Sequence, residues 1–242
     1  MAHSFTSKKT GFGKLFSAAA IAATLCASGV ASAGVLDFET AMDSPFLLNG
    51  DHTLMGDYWL ETYTSGAGGA LVGAVVDNDG CSGNGLSCPV NNSSHYLASL
   101  DDGYFYFGLN NDATFQVKSL QASFIGAGQA SFPAVSGLLV LQGFRANGST
   151  VGGAMQLALN GPTGGTFNFA DYNLGAFGNN TVDFVRILGY TCAADGSCLR
   201  NNNYANFAID NITTVTIPEP ASWGLMGLGL LGLAAFSRRR AA

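Results

Sequence analysis

The side chains of this sequence that could do chemistry are mainly carboxylates, because histidines are few. Residues 34–217 contain only His52 and His95, and no serine there has the G-x-S-x-G surroundings of a hydrolase nucleophile. A glycosidase needs two carboxylates at a set distance across a cleft, and fifteen Asp and Glu offer many pairs that the sequence does not rank. We therefore expect no enzymatic activity, with a glycan-active hydrolase as the alternative.

Calcium is the ligand that these carboxylates would suit best, since hard cations take oxygen ligands. Asp37 and Glu39 flank Phe38 near the start of this region, and Asp210 lies near its end. These residues meet if the first and last strands pair. Glu39 and Asp210 are therefore the candidate ligands of a structural calcium ion. The alternative is that both carboxylates cap backbone N–H groups.

Tyrosine rings could bind a sugar by stacking. In the segment Tyr104-Phe105-Tyr106-Phe107, alternation along a strand places the two Tyr on one face and the two Phe on the other. The Phe face is expected in the core, and Tyr104 and Tyr106 are candidate carbohydrate-binding residues. The alternative is a pair of core tyrosines with one wet hydroxyl each. Trp59 is expected in the core.

Four cysteines remain once Cys26, near the N-terminus, is set aside: Cys81, Cys88, Cys192 and Cys198. An even number in an exported chain indicates disulfides, and three pairings are possible. We expect the local pairing, Cys81–Cys88 and Cys192–Cys198, because each pair brackets a Gly-containing loop. Zinc is the less favoured reading, since neither histidine lies near a cysteine at ligand spacing.

The charge of residues 34–217 is strongly negative. Four Lys and Arg face fifteen Asp and Glu in this range, which gives a net charge of −11. Such a surface repels nucleic acid and anionic lipid. We expect no nucleic-acid partner.

The elements that position these side chains are short strands. Runs rich in β-branched and aromatic residues alternate with Gly, Asn, Asp and Ser clusters, and no sustained helical period occurs. This predicts an all-β fold, a jelly-roll-type antiparallel β-sandwich. A bulge is expected near Phe184 and Ile187. The candidate strands are 35–39, 58–64, 70–76, 96–100, 104–109, 115–125, 138–145, 155–159, 166–169, 181–188 and 204–216.

The two ends of the chain carry targeting signals. Lys8, Lys9 and Lys14 precede an apolar stretch, and Ala31, Ala33 and Gly34 fit an A-x-A cleavage site, so residues 1–33 are predicted to be a signal peptide. Residues 221–236 are apolar and uncharged, about 24 Å long as a helix. This predicts a single, short transmembrane helix with its basic end in the cytoplasm.

The C-terminal segment, residues 218–242, resembles the PEP-CTERM class of bacterial surface proteins. The resemblance rests on Pro218, Glu219 and Pro220, then the apolar run, then Arg238, Arg239 and Arg240. It implies export machinery and an exosortase-type sorting enzyme as partners. It also implies transient anchoring in the inner membrane of a Gram-negative bacterium that makes exopolysaccharide.

Residues 34–217 are expected to form one β-sandwich domain. Its first and last predicted strands are similar to those of many secreted, carbohydrate-binding-like jelly rolls. Together these features predict a protein of the cell surface or extracellular matrix. Its expected role is structural or adhesive and linked to extracellular polysaccharide, with a calcium-dependent lectin-like module as a further alternative.

Overall fold

The computed structural model describes residues 31–40, 42–64, 70–82, 85–200 and 203–217. The predicted all-β sandwich is confirmed: the described residues form two antiparallel sheets. The strands are β1 (Ala33–Leu36), β2 (Phe46–Leu48), β3 (His52–Met55), β4 (Tyr58–Tyr63), β5 (Leu71–Val76), β6 (Tyr96–Ser99), β7 (Tyr104–Leu109), β8 (Phe115–Phe124), β9 (Val135–Phe144), β10 (Thr150–Asn160), β11 (Ala170–Asn173), β12 (Phe184–Cys192), β13 (Cys198–Leu199) and β14 (Phe207–Thr216).

The strand order places distant parts of the sequence side by side. Sheet A has the order β11-β8-β14-β6-β5-β2, and β1 also pairs with β14. The first and last strands are therefore neighbours, as expected. Sheet B has the order β10-β9-β12-β7-β4-β3, and β13 pairs with β12.

Alternation decides which side chains fill the core. Phe105 and Phe107 on β7 are buried between the sheets, as are Leu139 and Leu141 on β9. Their neighbours in sequence point outward, because successive strand residues face opposite sides. Each fully buried Phe or Leu contributes about 1.5–3 kcal/mol to stability, so the inner faces of the two sheets hold the domain together.

A covering loop distinguishes the outer faces of the two sheets. After β5, residues 77–82 and 85–94 fold back over sheet A, with a short helix α1 (Asn78–Ser82) at their start. A second buried cluster lies beneath this loop. It explains why every residue of β6 is buried, since its outward-facing Tyr96 and Ala98 pack there. The outer face of sheet B has no comparable cover among the described residues.

Both local disulfides are present, Cys81–Cys88 within the loop over sheet A and Cys192–Cys198 at the turn between β12 and β13. The bridge at Cys81 and Cys88 belongs to the buried cluster under the loop. The bridge at Cys192 and Cys198 joins residues that are also directly paired in the β-ladder.

Several predicted elements differ from the structure. The expected bulge in β12 is wrong, because its pairing with β9 runs without a register shift and Phe184 simply points outward. Strands β2 and β3 were not predicted, since each is short and carries exposed apolar residues that break the alternation. The predicted strand at 166–169 is displaced to β11.

The targeting predictions fall largely outside the described residues. Ala33 and Gly34 of the predicted cleavage site lie in β1, with Ala31 just before it. The apolar run at 221–236, the Pro-Glu-Pro residues 218–220 and the arginines 238–240 all lie outside the described range. Within the described part of the chain, no helix is long and apolar enough to cross a membrane.

Candidate functional site

Six aromatic side chains project from the outer face of sheet B, on four neighbouring strands. Cross-strand pairing sets Trp59 of β4 beside Gly108 of β7, which in turn pairs with Phe184 of β12. Phe184 is then opposite Phe144 of β9. We call this surface the aromatic face; its rings are Trp59, Tyr63, Tyr104, Tyr106, Phe144 and Phe184.

Trp59 lies flat on the sheet. A Cβ built on Gly108 would be 2.7 Å from each of three indole atoms, Cε2, Cζ2 and Nε1. Since a Cβ projects out of the pleat, three equal distances mean that the ring plane lies across that direction. Trp59 is partly buried and faces outward, so its expected place in the core is wrong. The indole also stacks with His52, with ring centroids 6.1 Å apart and planes 19° from parallel, and meets Phe184 at a tilt.

The other rings form two packed groups. Phe144 and Phe184 stack with ring centroids 5.1 Å apart and planes 8° from parallel. Tyr63 and Tyr104 stack at 5.7 Å. Tyr106 stands between the groups and meets Phe144, Phe184, Tyr63 and Tyr104 edge-on. These contacts hold the rings in fixed positions, which reduces the entropy that binding a ligand would cost.

The predicted sugar-binding tyrosines are both on this face. Tyr104 and Tyr106 point outward from β7, with ring centroids 6.0 Å apart. The guanidinium of Arg200 lies 4.9 Å from the Tyr104 centroid, so this ring is enclosed by Arg200, Tyr63 and Tyr106.

Polar groups lie among the rings. Glu61 accepts hydrogen bonds from the Tyr63 hydroxyl at 3.0 Å and from His52 Nδ1 at 3.2 Å. The bond to the Glu61 carboxylate raises the pKa of Tyr63. Arg186 lies 5.6 Å from the centroid of Phe144. The face thus combines flat apolar rings with one carboxylate, that of Glu61, and two guanidinium groups, those of Arg186 and Arg200.

A shallow depression of about 420 Å³ occupies one end of the aromatic face. It is lined by Trp59, Glu61, Tyr106, Phe144 and Phe184, and Gly148 borders it from the β9–β10 hairpin. Gly148 has φ = 80°, a left-handed conformation that suits glycine at the tip of a hairpin. An open depression with ring walls suits a flat ligand lying along the surface.

Glu39, one candidate calcium ligand, lies on the surface beyond the end of β1. Phe38 adopts φ = 58° and is buried, which ends the strand before Glu39. The Glu39 carboxylate accepts hydrogen bonds from the backbone N–H of His95 at 2.8 Å and from its Nδ1 at 3.0 Å. The side-chain bond lowers the pKa of Glu39 and raises that of His95.

Asp210, the other candidate, is fully buried on β14. Asn92 donates to its carboxylate at 2.7 Å, Ser94 at 3.3 Å and the backbone N–H of Asn211 at 2.7 Å. Burial raises the pKa of Asp210, and the nearby negative charge of Glu39 adds to this. The two carboxylates are therefore near one another, and Ser94 contacts both.

A metal at this position would need further oxygen ligands. Among the described residues, no group of three or more His, Cys, Asp or Glu side chains could hold a metal ion. Asn78, whose amide donates to the carbonyl of Asn92, has a buried side-chain oxygen without a partner. Two carboxylates and such neutral oxygens are ligand types that calcium accepts.

Sequence reasoning missed Trp59, Glu61, Phe144, Phe184 and Arg186 as members of one face. Two signals could have found part of it. Alternation along β4 sets Trp59, Glu61 and Tyr63 on the side opposite Tyr58 and Leu60. A glycine inside a strand of aromatics, such as Gly108, indicates that another group lies across that position.

Comparison of the sequence with known families gives one match. Residues 216–240 match the PEP-CTERM protein-sorting motif. The chain therefore carries the predicted sorting signal, which implies an exported protein processed by an exosortase-type enzyme. No curated protein matches the sequence.

The fold is similar to that of a DUF4465 family protein from Bacteroides caccae. The two share a TM-score of 0.52 and 12% identity, over 78% of this chain and 100% of the other. This likeness shows a common fold.

Two carbohydrate-binding structures match less well. The CBM22-1 xylan-binding domain of Xyn10C from Paenibacillus barcinonensis gives a TM-score of 0.32 at 10% identity, over 79% of this chain and 100% of that one. TmCBM61, solved with β-1,4-galactotriose, gives 0.31 at 8% identity, over 68% and 90%. Scores this low do not relate the functions.

Proposed function

We propose that this protein is a non-catalytic glycan-binding protein of the cell surface or extracellular matrix, and that the aromatic face is its binding site. Its role is structural or adhesive, through attachment to extracellular polysaccharide. The observation that carries the proposal is Trp59 lying flat over Gly108. The apolar face of a sugar ring is flat, and a flat indole within a sheet supports it over a wide area.

The polar groups of the face support the same ligand class. A sugar presents hydroxyl groups around an apolar ring, so its binding site needs both stacking surfaces and hydrogen-bonding groups. Glu61 and Arg186 provide an acceptor and donors beside the rings of Tyr106 and Phe144. Because the sheet backbone fixes all of them, little ordering is required on binding.

The distribution of carboxylates favours binding over hydrolysis. Glu61 is the only Asp or Glu among the outward-facing residues of β4, β7, β9 and β12, strands that are described in full. A glycosidase needs a pair of carboxyl groups about 5–9 Å apart across the scissile bond. On these strands, the aromatic face thus supplies one carboxylate, Glu61, and not the second one that hydrolysis needs.

Calcium at Glu39 and Asp210 remains part of the proposal as a structural ion. It would offset the repulsion between two neighbouring carboxylates, one of them buried, and would tie the end of β1 to β14. This position lies in the part of the molecule built around sheet A. An ion there would stabilise the fold without touching a glycan on sheet B.

Binding of the exported, disulfide-bonded protein to a panel of polysaccharides tests the function, with calcium and with EDTA. Truncating a central aromatic anchor costs about 2 kcal/mol, so Trp59→Ala should weaken binding about 30-fold. Phe46→Ala is the matched control, because Phe46 is an exposed aromatic on β2 of the other sheet. Equal affinities for both variants and the wild type would exclude the aromatic face.

The same two conditions, calcium and EDTA, also test the proposed structural calcium ion by itself. We expect calcium to raise the melting temperature of the wild type and to leave Glu39→Gln and Asp210→Asn unchanged. An identical melting temperature of the wild type in calcium and in EDTA would remove the ion from the proposal.

A further inference from the structure

Two of the four positively charged side chains of the domain lie at the aromatic face. Of the four Lys and Arg in residues 34–217, Arg186 and Arg200 contact rings of this face, and Arg145 directly follows β9. Lys118 alone is on sheet A, where it donates to Gln116 and to the carbonyl of Gly178. A domain with net charge −11 thus carries half of its Lys and Arg side chains at one surface.

Arg186 occupies the centre of that surface. Its register partners are Tyr106 on β7 and Gln142 on β9. The side chain is partly buried, and its guanidinium packs over Phe144. Arg186 lies two strands from β4, at about 4.8 Å per strand, and two residues along the strands from Trp59, at about 3.4 Å per residue. The two backbone positions are therefore about 12 Å apart.

The charge of Arg186 is unpaired. Its Nε is buried without a hydrogen-bond partner, and no carboxylate of the described residues forms an ion pair with it. Glu61, on the same face, is engaged by His52 and Tyr63 instead. An arginine stays charged at any physiological pH. A ligand group that accepts hydrogen bonds from this partly buried guanidinium would therefore bind favourably.

We propose that the glycan bound at the aromatic face is anionic, with an acidic group of one sugar seated on the Arg186 guanidinium while a neighbouring sugar stacks on Trp59. This rests on the glycan-binding function proposed above. A guanidinium and a carboxylate form two parallel, charge-assisted hydrogen bonds, and a uronic acid carries such a carboxylate at the edge of its ring.

The negative charge of the domain does not oppose this. At physiological ionic strength the Debye length is about 8 Å, so an acid group on Arg186 is screened from carboxylates farther away. This screening does not suffice for polyanions with closely spaced charges, such as duplex DNA, which carries one charge per about 1.7 Å. We therefore expect selectivity for a polysaccharide with one acid group per sugar and no binding of DNA.

A pair of probes that differ only in charge gives the test. Polygalacturonate and its highly methyl-esterified form share one backbone, and esterification removes the carboxylates. Affinity of the exported, disulfide-bonded protein for both is measured at physiological salt, alongside neutral xylan and galactan and duplex DNA. We expect at least tenfold tighter binding of the acidic form.

Variants place the effect at Arg186. Arg186→Gln should remove the tenfold preference by weakening binding of the acidic form much more than binding of the esterified form. Arg186→Lys keeps the charge but loses the two parallel donors, and it should retain part of the preference. Lys118→Gln is the control on the other sheet. Trp59→Ala should weaken both forms alike.

The possible outcomes distinguish a failure of the anionic-ligand proposal from a failure of the proposed glycan-binding function. Equal binding of the two forms, or binding of neutral polysaccharides only, would overturn the anionic ligand and leave the glycan-binding function standing. A preference that survives in Arg186→Gln, or equal binding of DNA, would also overturn it. Absence of binding to every polysaccharide would overturn both.

Discussion

Single residues decide the shape of the aromatic face, and Gly108 is the most informative of them. It makes room for the indole of Trp59, which no other residue would do. Arg200 and Tyr63 pack against Tyr104, one of the two tyrosines that the sequence predicted to bind carbohydrate. The residue types and the strand register together determine which groups contact each ring.

Gly108→Ala should therefore disturb the binding surface. The new Cβ would lie 2.7 Å from three atoms of the Trp59 indole, and the ring must move. We expect a loss of about 1–2 kcal/mol in stability and at least tenfold weaker glycan binding. Gly153→Ala on β10 of the same sheet is the control, since nothing lies within 4 Å of its added Cβ. Equal binding by both variants would contradict the flat placement of Trp59.

The Glu39–His95 pair predicts a pH dependence. The lowered pKa of Glu39 stabilises the fold above the ordinary Glu pKa, and the raised pKa of His95 stabilises it below the ordinary His pKa. The pair should thus contribute fully between about pH 4.3 and 6.5. Its contribution fades at higher pH as His95 deprotonates, and at lower pH as Glu39 is protonated.

Urea unfolding of the wild type, His95→Gln, Glu39→Gln and the double variant measures this coupling. Both side chains are about half exposed, 53% and 43%, so we expect a coupling energy below about 1 kcal/mol. It should be largest near pH 5.5 and should vanish above pH 8. A coupling that stays constant with pH would show that charge plays no part.

At the scale of elements, the covering loop and the disulfides determine which sheet has an exposed outer face. Residues 77–82 and 85–94 fold over sheet A, where Ser87 pairs with Gly126 and Pro89 with Phe167. The bridge Cys192–Cys198 fixes the short β13 on β12, and Arg200 follows directly. The same bridge thus helps to place Arg200 over Tyr104.

Removing either disulfide should cost a similar free energy of unfolding. The bridged cysteines are 7 and 6 residues apart, and loops of this size predict about 2–3 kcal/mol each. Urea unfolding of Cys81→Ala/Cys88→Ala and of Cys192→Ala/Cys198→Ala measures both losses. Only the second pair should also weaken glycan binding, through Arg200. The reverse pattern would contradict the assignment of sheet B as the binding sheet.

At the scale of the whole molecule, the sorting motif and the proposed binding face would act in succession. The motif at residues 216–240 directs processing by an exosortase-type enzyme, and the described domain ends at residue 217. Processing at the motif would leave the two sheets and the aromatic face intact. The exported domain could then bind polysaccharide outside the cell.

Pro218→Ala/Glu219→Gln should leave uncleaved precursor in the inner membrane of the native host. Fractionation and immunoblotting would measure it against Pro162→Ala/Asp79→Asn, which replaces one proline and one acid in the domain. The control variant should mature like the wild type. Normal maturation of the Pro218→Ala/Glu219→Gln protein would contradict a role of the motif in sorting.

The sequence by itself determined the features that depend on neighbours along the chain. Alternation in β7 predicted that Phe105 and Phe107 enter the core and that Tyr104 and Tyr106 point outward. Close spacing and intervening glycines predicted both disulfides, and the order of Pro-Glu-Pro, apolar run and arginines predicted the sorting motif. Each of these is a local property, read within a few turns or one strand.

Tertiary structure decided what depends on strands that are far apart in sequence. Trp59, Gly108 and Phe184 belong to three strands, and only their pairing shows that an indole lies across Gly108 on the outer face of sheet B. Likewise, strand order determines that Arg186 forms no ion pair with a carboxylate of the described residues, and that Asp210 is buried. Strand order is fixed by the packing of both sheets at once, and no single segment of the sequence records it.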